Sequence, residues 1–317
     1  MRSLVVSRAF WVIILFLPAL LSCHDKGGDT DAGTDDADIE APDADDDADN
    51  QGEPDSDVAH DADDEADSAD ADDDSEAPDA DDDHYQHELP PAPDGTEWAL
   101  VWSDEFDGTA IDESKWEVLG DWERRDGWWM QENTSLDGEG NLVIRIDWDG
   151  ARFTDGGVQT RGRFEHSFGY YEARCEFHEQ PGHWPAFWIM GNTVGTVGNE
   201  GRDGTEIDIM EKAWLEERIN HALHWDGYGD DHQADSIQVD FPGLNEGWHT
   251  FGLHWSETEY VFYIDGVETW RTSSGGVSQV PEYIMITDEI GDWAGDINDA
   301  ALPDFFRVDY VRVYDAL

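Results

Sequence analysis

Basic residues and cysteines are what this sequence has least of. Only 17 Lys and Arg stand against 77 Asp and Glu, giving a formal net charge of -60. A chain so acidic repels phosphate backbones, which excludes a nucleic-acid binder. Two cysteines, Cys23 and Cys175, cannot build a small disulfide scaffold. Long apolar runs are missing as well: residues 9–21 form a run of 13, too short to span a bilayer comfortably. Convincing helical periodicity is scarce throughout.

The charge is unevenly spread. Residues 24–94 hold 31 acids and one base, Lys26, so half of the net charge lies in 71 residues. Asp, Ala, Pro and Ser dominate there, and so little apolar surface cannot offset chain entropy. The composition predicts a disordered acidic linker. Its octapeptide EAPDADDD, at 40–47 and again at 76–83, is low-complexity duplication. Calcium binding is the alternative role for so many carboxylates, but the Asp spacing and turn glycine of a calcium loop are absent.

Upstream, Arg2 and Arg8 precede the 13-residue apolar run, the pattern of an export signal over residues 1–22. Leu20-Leu21-Ser22-Cys23 resembles the bacterial lipoprotein box, which implies that Cys23 is lipid-modified and anchors the mature chain in a membrane. His24 after it leans the sorting towards the outer membrane, so the expected location is the bacterial cell envelope, possible exposure at the cell surface included. Cys175 then lacks a partner within the chain. Period-2 alternation puts it on one face with Tyr171, Ala173 and Phe177, a buried inert thiol.

From Gly95 to Leu317 tryptophan and glycine become frequent, and 46 acids against 14 bases leave -32. Those 223 residues suffice for one large domain, expected to act as a monomer. Alternating segments at 142–148, 169–177, 186–190, 206–209, 220–225, 250–255, 260–264 and 306–314 predict strands. Asp265-Gly266 is a type I′ hairpin signal. The fold class is all-β: a sandwich of jelly-roll character.

Glu206-Ile207-Asp208-Ile209-Met210-Glu211 carries the sharpest chemical signal. On a strand Glu206 and Asp208 share one face while Ile207 and Ile209 point between the sheets. Glu211 has the wrong parity and rejoins the acids only if a bulge absorbs one residue near Ile209 or Met210. Crowded carboxyls raise one another's pKa, which separates an ionised nucleophile from a protonated acid. Retaining glycoside hydrolysis needs that pair, roughly 5–5.5 Å apart. Taken alone, the six residues also suit an acidic edge strand.

Their surroundings add tryptophan. In Trp184-Pro185-Ala186-Phe187-Trp188 two indoles share the face of Ala186, and aromatic rings are platforms for sugars. With GYYEAR at 169–174, GHWPAFWIMG at 182–191, EIDIME at 206–211 and DYVRVY at 309–314, residues 100–314 resemble glycoside hydrolase family 16. The resemblance implies a concanavalin A-like jelly roll with a concave cleft, and endo-hydrolysis of β-linked polysaccharide with retention. It makes Glu206 the nucleophile, Asp208 the acid hydrogen-bonded to it, and Glu211 the general acid/base. No cofactor is expected for catalysis.

The bulge residue Met210 places the chain with family members similar to β-1,3-glucanases, agarases and carrageenases. Net charge disfavours polyanionic galactans, so the expected partner is a neutral β-glucan such as laminarin, with agarose or another galactan as the alternative. His224 resembles a family position near the acid/base, and packing would equally account for it. Trp128 and Trp129 form a distal sugar subsite or cap the core. Glu105, Gly140 and Asp309 match positions that hold a structural calcium in the family. Two rival classes remain: a noncatalytic glycan-binding module, against which all three acids argue, and a surface adhesion protein working through its acidic segment.

Overall fold

The computed structural model describes residues 88–317. The expected signal segment 1–22, Cys23 and the expected linker up to residue 87 lie outside the described residues. Expected strands form in every place named above, and two antiparallel sheets of nine and eight strands hold them. In each sheet about half of the neighbouring strands are not consecutive in sequence, because the chain crosses repeatedly from one sheet to the other, as in a jelly roll. At the hairpin between Tyr260–Ile264 and Val267–Thr272, Asp265 (φ 48°) and Gly266 (φ 72°) are both left-handed, as a type I′ turn requires.

Four adjacent strands of the eight-stranded sheet matter for function: Arg218–Trp225, Glu206–Glu211, His183–Gly191 and Glu282–Ile290. Their alternation separates two faces. Ile207, Ile209, Phe187, Ile189, Leu223, Ile284 and Ile286 are fully buried in the core between the sheets. Each such side chain contributes about 1.5–3 kcal/mol by leaving water. From the opposite sheet Tyr171, Ala173 and Cys175 meet them on the strand Gly169–Glu176. Cys175 is fully buried and burial pushes its thiol pKa well up, as an inert core cysteine requires.

Composition missed two features. Glu282–Ile290 reads as a mixed run, YIMIT followed by acids, yet it sits in mid-sheet between His183–Gly191 and Gly156–Gln159. Residues 88–94, placed in the linker by their Pro and acid content, belong to the folded body. Leu89 packs beside Tyr170, Val261 and Tyr263, and the Trp98 indole donates to the Pro90 carbonyl at 2.7 Å. The ordered body therefore begins before residue 95.

Candidate active site

Cross-strand register builds the site. Glu206 lies opposite His224 and Met190, Asp208 opposite Ala222 and Trp188, and Glu211 opposite Asn220 and Ala186. Between Asp208 and Glu211 the catalytic strand advances three residues while its partner advances two. That is the expected bulge, and it returns Glu211 to the face of the other two acids. All three line one cavity with Trp184, Ala186 and Trp188. Its volume at the acids is only 40 Å³.

The cavity wall also contains residues that the sequence did not single out. Thr287 and Glu289 come from Glu282–Ile290, opposite Ala186 and Trp184. Arg124 and Arg125 reach in from a small hairpin of Trp122–Arg124 and Gly127–Trp129. Glu289, 4% exposed, receives Arg124 Nε at 2.9 Å and Arg125 Nε at 2.8 Å. Fully buried Asp155 joins the hairpin to the sheet: its backbone N–H donates to the Trp128 carbonyl at 3.1 Å, and its Oδ2 accepts from the Ile290 backbone at 3.1 Å. Gly127 must be glycine, since a Cβ there would stand 2.4 Å from that same carboxylate oxygen. Tandem arginines at a turn, followed by glycine and two tryptophans, are the signal that could have flagged this element.

Burial raises the pKa of Glu206, Asp208 and Glu211. For Asp208 the field of Glu211, Glu206 and Glu289 adds to burial, and the carboxyl is pushed well above its usual range. Glu211 is pushed up to about 7 by burial, opposed by a hydrogen bond from Asn220 Nδ2 to its Oε2 at 2.9 Å. Glu206 is raised by burial too, but a hydrogen bond from the Tyr228 hydroxyl and the charges of Arg124 and Arg125 oppose the rise. The environment thus holds three neighbouring carboxyls at different proton affinities.

His224 stands beside Asp208, its Nε2 3.5 Å from Oδ2, and its Nδ1 is 3.0 Å from His232 Nε2. Burial and Arg125 lower its pKa to about 4, so the ring is neutral near pH 7 and its contact with Asp208 is not an ion pair. The hydrogen bond on Glu206 comes from Tyr228. Asp208, expected in that role, approaches Glu206 and His224 to within 4.8 Å. Glu206, Asp208 and His224 are also the one trio of potential metal ligands so close together among the described residues.

The remaining expected residues fall differently. Trp184 and Trp188 line the cavity, though they are only 6% and 7% exposed. The Trp188 indole is tied to Thr287 Oγ1 at 3.0 Å, and Arg125 lies over Trp184 at 5.2 Å. Trp129 is not a sugar platform: it is 3% exposed beneath Arg124, whose guanidinium lies 4.9 Å from its ring. Trp128 is not among the residues lining the cavity and is covered by Arg152 at 3.8 Å. At the expected calcium position, Arg312 holds the Glu105 carboxylate through two nitrogens and Arg174 holds Asp309 Oδ2 at 2.7 Å. Both carboxylates at that position are thus engaged by arginine.

A sandwich with three carboxyls bulged onto one face of a sheet, beside paired indoles, defines a carbohydrate-active fold. Residues 126–312 match Glycosyl hydrolases family 16, and the chain belongs to that family. It is 31% identical over 239 residues to a keratan-sulfate endo-1,4-β-galactosidase of Sphingobacterium multivorum, covering 69% of this chain and 56% of that one. The match thus spans about half the length of that relative. A β-glucanase of Rhodothermus marinus is 27% identical over 250 residues, covering 68% of this chain and 85% of its own. The laminarinase of Flavobacterium sp. UMI-01 superposes with a TM-score of 0.59 at 26% identity, over 68% of this chain and all of that one.

Proposed function

We propose that this protein is an endo-acting hydrolase of β-linked polysaccharide that retains anomeric configuration. The observation that carries the reading is the bulge at Ile209 and Met210, which converts a strand with two aligned acids into a site with three. Glu206 is the nucleophile, because Tyr228 and two guanidiniums favour its ionised form. Glu211, poised near pH 7, donates its proton to the departing glycosidic oxygen as that C–O bond breaks and a Glu206 oxygen bonds to the anomeric carbon. Water then attacks the same carbon, gives its proton to Glu211, and releases Glu206. Burial and the neighbouring acids favour the neutral form of Asp208, which limits repulsion while Glu206 is ionised.

The substrate reading is a neutral β-1,3-glucan, supported by structural similarity to laminarinases. A second reading, a galactan, is favoured by the 31% identity to a keratan-sulfate endo-1,4-β-galactosidase. A reducing-sugar assay across laminarin, mixed-linkage glucan, agarose, carrageenan and keratan sulfate tests both. Release from laminarin supports the first, release from galactans alone moves the enzyme to the second, and release from none refutes the activity.

In this reading Cys23 carries the lipid anchor in the outer membrane, and the acidic linker is a tether with an r.m.s. reach of roughly 45–50 Å for about 70 flexible residues. A calcium held by backbone oxygens at Glu105, Gly140 and Asp309 has a structural role and takes no part in the chemistry.

A further inference from the structure

Tyr228 sits in the loop of residues 226–232, between Arg218–Trp225 and Gln233–Asp240, and no motif pointed to it. Asp226 and Gly227 are both left-handed (φ 61° and 75°), which turns the chain back over the cleft. The turn delivers two side chains. His232 meets His224, and the Tyr228 hydroxyl donates to Glu206 Oε2 while lying 3.3 Å from Met190 Sδ. Met190 is the cross-strand neighbour of Glu206, so the phenol is wedged against the same stretch of sheet that carries the nucleophile.

We propose that Tyr228 is the positioning residue of the nucleophile: its O–H stays on Glu206 Oε2 through both chemical steps, leaving Oε1 to attack and stabilising the carboxylate when it departs. This deepens the assignment of Glu206 and rests on it. The phenol transfers no proton. Burial and the neighbouring Glu206 push its pKa far up, so it remains a donor at every working pH.

The two steps respond differently to such a donor. In the free enzyme Glu206 carries a full charge, and in the glycosyl ester it carries none. A hydrogen bond to the charged form therefore helps expel Glu206 in the second step more than it helps attack in the first. Other groups also act on Glu206. Asp208 neighbours it on its own strand, His224 faces it from Arg218–Trp225, and Arg124 and Arg125 come from the hairpin. Glu289, Glu282 and Tyr283 bear on it from Glu282–Ile290. Among the described residues only Tyr228 makes a hydrogen bond to its side chain.

The test is Tyr228→Phe, which keeps the ring and its packing, with thermal unfolding as the check on folding. Loss of a hydrogen bond to a charged group is worth about tenfold to a hundredfold. With an activated aryl β-glycoside, release of the aryl group should show a burst followed by turnover slowed by that factor, with the glycosyl-enzyme visible by intact mass. Azide should not restore turnover, because it too must expel Glu206. The acid limb of kcat/KM should move up by about one pH unit. A folded variant with an unmoved limb and no accumulated intermediate overturns the proposal. Labelling with an epoxide-bearing glycoside separates this failure from a wrong nucleophile: wild type labelled elsewhere than Glu206 would refute the parent assignment instead.

Discussion

Removing the carboxyl of Glu211 should have opposite effects on catalysis and stability. Its pKa moves from an ordinary 4.5 to about 7 on folding, chiefly by burial. The native state therefore holds this proton more tightly than the unfolded chain. The stabilising linkage is fully present below pH 4.5 and is lost as pH rises through 7. At 1.36 kcal/mol per unit the full loss is a little over 3 kcal/mol, reduced to about 2 kcal/mol because Glu211 keeps some contact with solvent. Glu211→Gln keeps shape and stays neutral. It should match wild type near pH 4 and exceed it at pH 8 by about 2 kcal/mol, which is several degrees in Tm at roughly 2–4 °C per kcal/mol. Glu282, raised by burial to about 8 outside the influence of Glu211, is shared by both proteins and cancels in the difference.

Catalysis should suffer where stability gains. Wild-type kcat/KM should fall above a pH of about 7, and that limb should vanish in Glu211→Ala. Turnover of polysaccharide should drop by about 10²–10⁴, the usual worth of general acid–base assistance. Aryl glycosides with good leaving groups should still form the glycosyl-enzyme, then stall. Added azide should release a β-configured glycosyl azide, read by NMR. An α-configured product refutes retention. Absence of azide rescue, or a pH limb and stability curve unchanged by the substitution, refutes Glu211 as the acid/base.

Three further outcomes follow. Glu206→Gln should form no glycosyl-enzyme, because an amide cannot act as the nucleophile; near-normal turnover would exclude it from the chemistry. Glu289→Gln strands two guanidiniums on a partner that was 4% exposed, so denaturant unfolding should show a loss of about 2–4 kcal/mol, and the basic limb of kcat/KM should shift down as the site loses a negative charge. Unchanged stability would mean that the pairs contribute nothing. Cys23→Ser should release the protein into the soluble fraction after cell fractionation, since an acidic tether has no affinity of its own for anionic lipid. Sedimentation with membranes would refute the anchor.

The sequence by itself determined whatever depends on local periodicity. The two-residue alternation fixed which side of Glu206–Glu211 faces the core, and parity alone showed that Glu211 needed a bulge to join Asp208. The Asp-Gly pair fixed a hairpin because only left-handed residues make that turn. Long-range pairing decided the rest. Glu289 and Thr287 enter the site because Glu282–Ile290 lies against His183–Gly191, a register that no local pattern encodes. Arg124 and Arg125 arrive on a hairpin held by Asp155 and Glu289, more than 25 and 160 residues further along the chain. Tyr228 reaches Glu206 through a turn 22 residues away. Proton affinity followed the same division: the sequence supplied three crowded carboxyls, but their ranking depends on burial and on neighbours that only the packed sheets bring together.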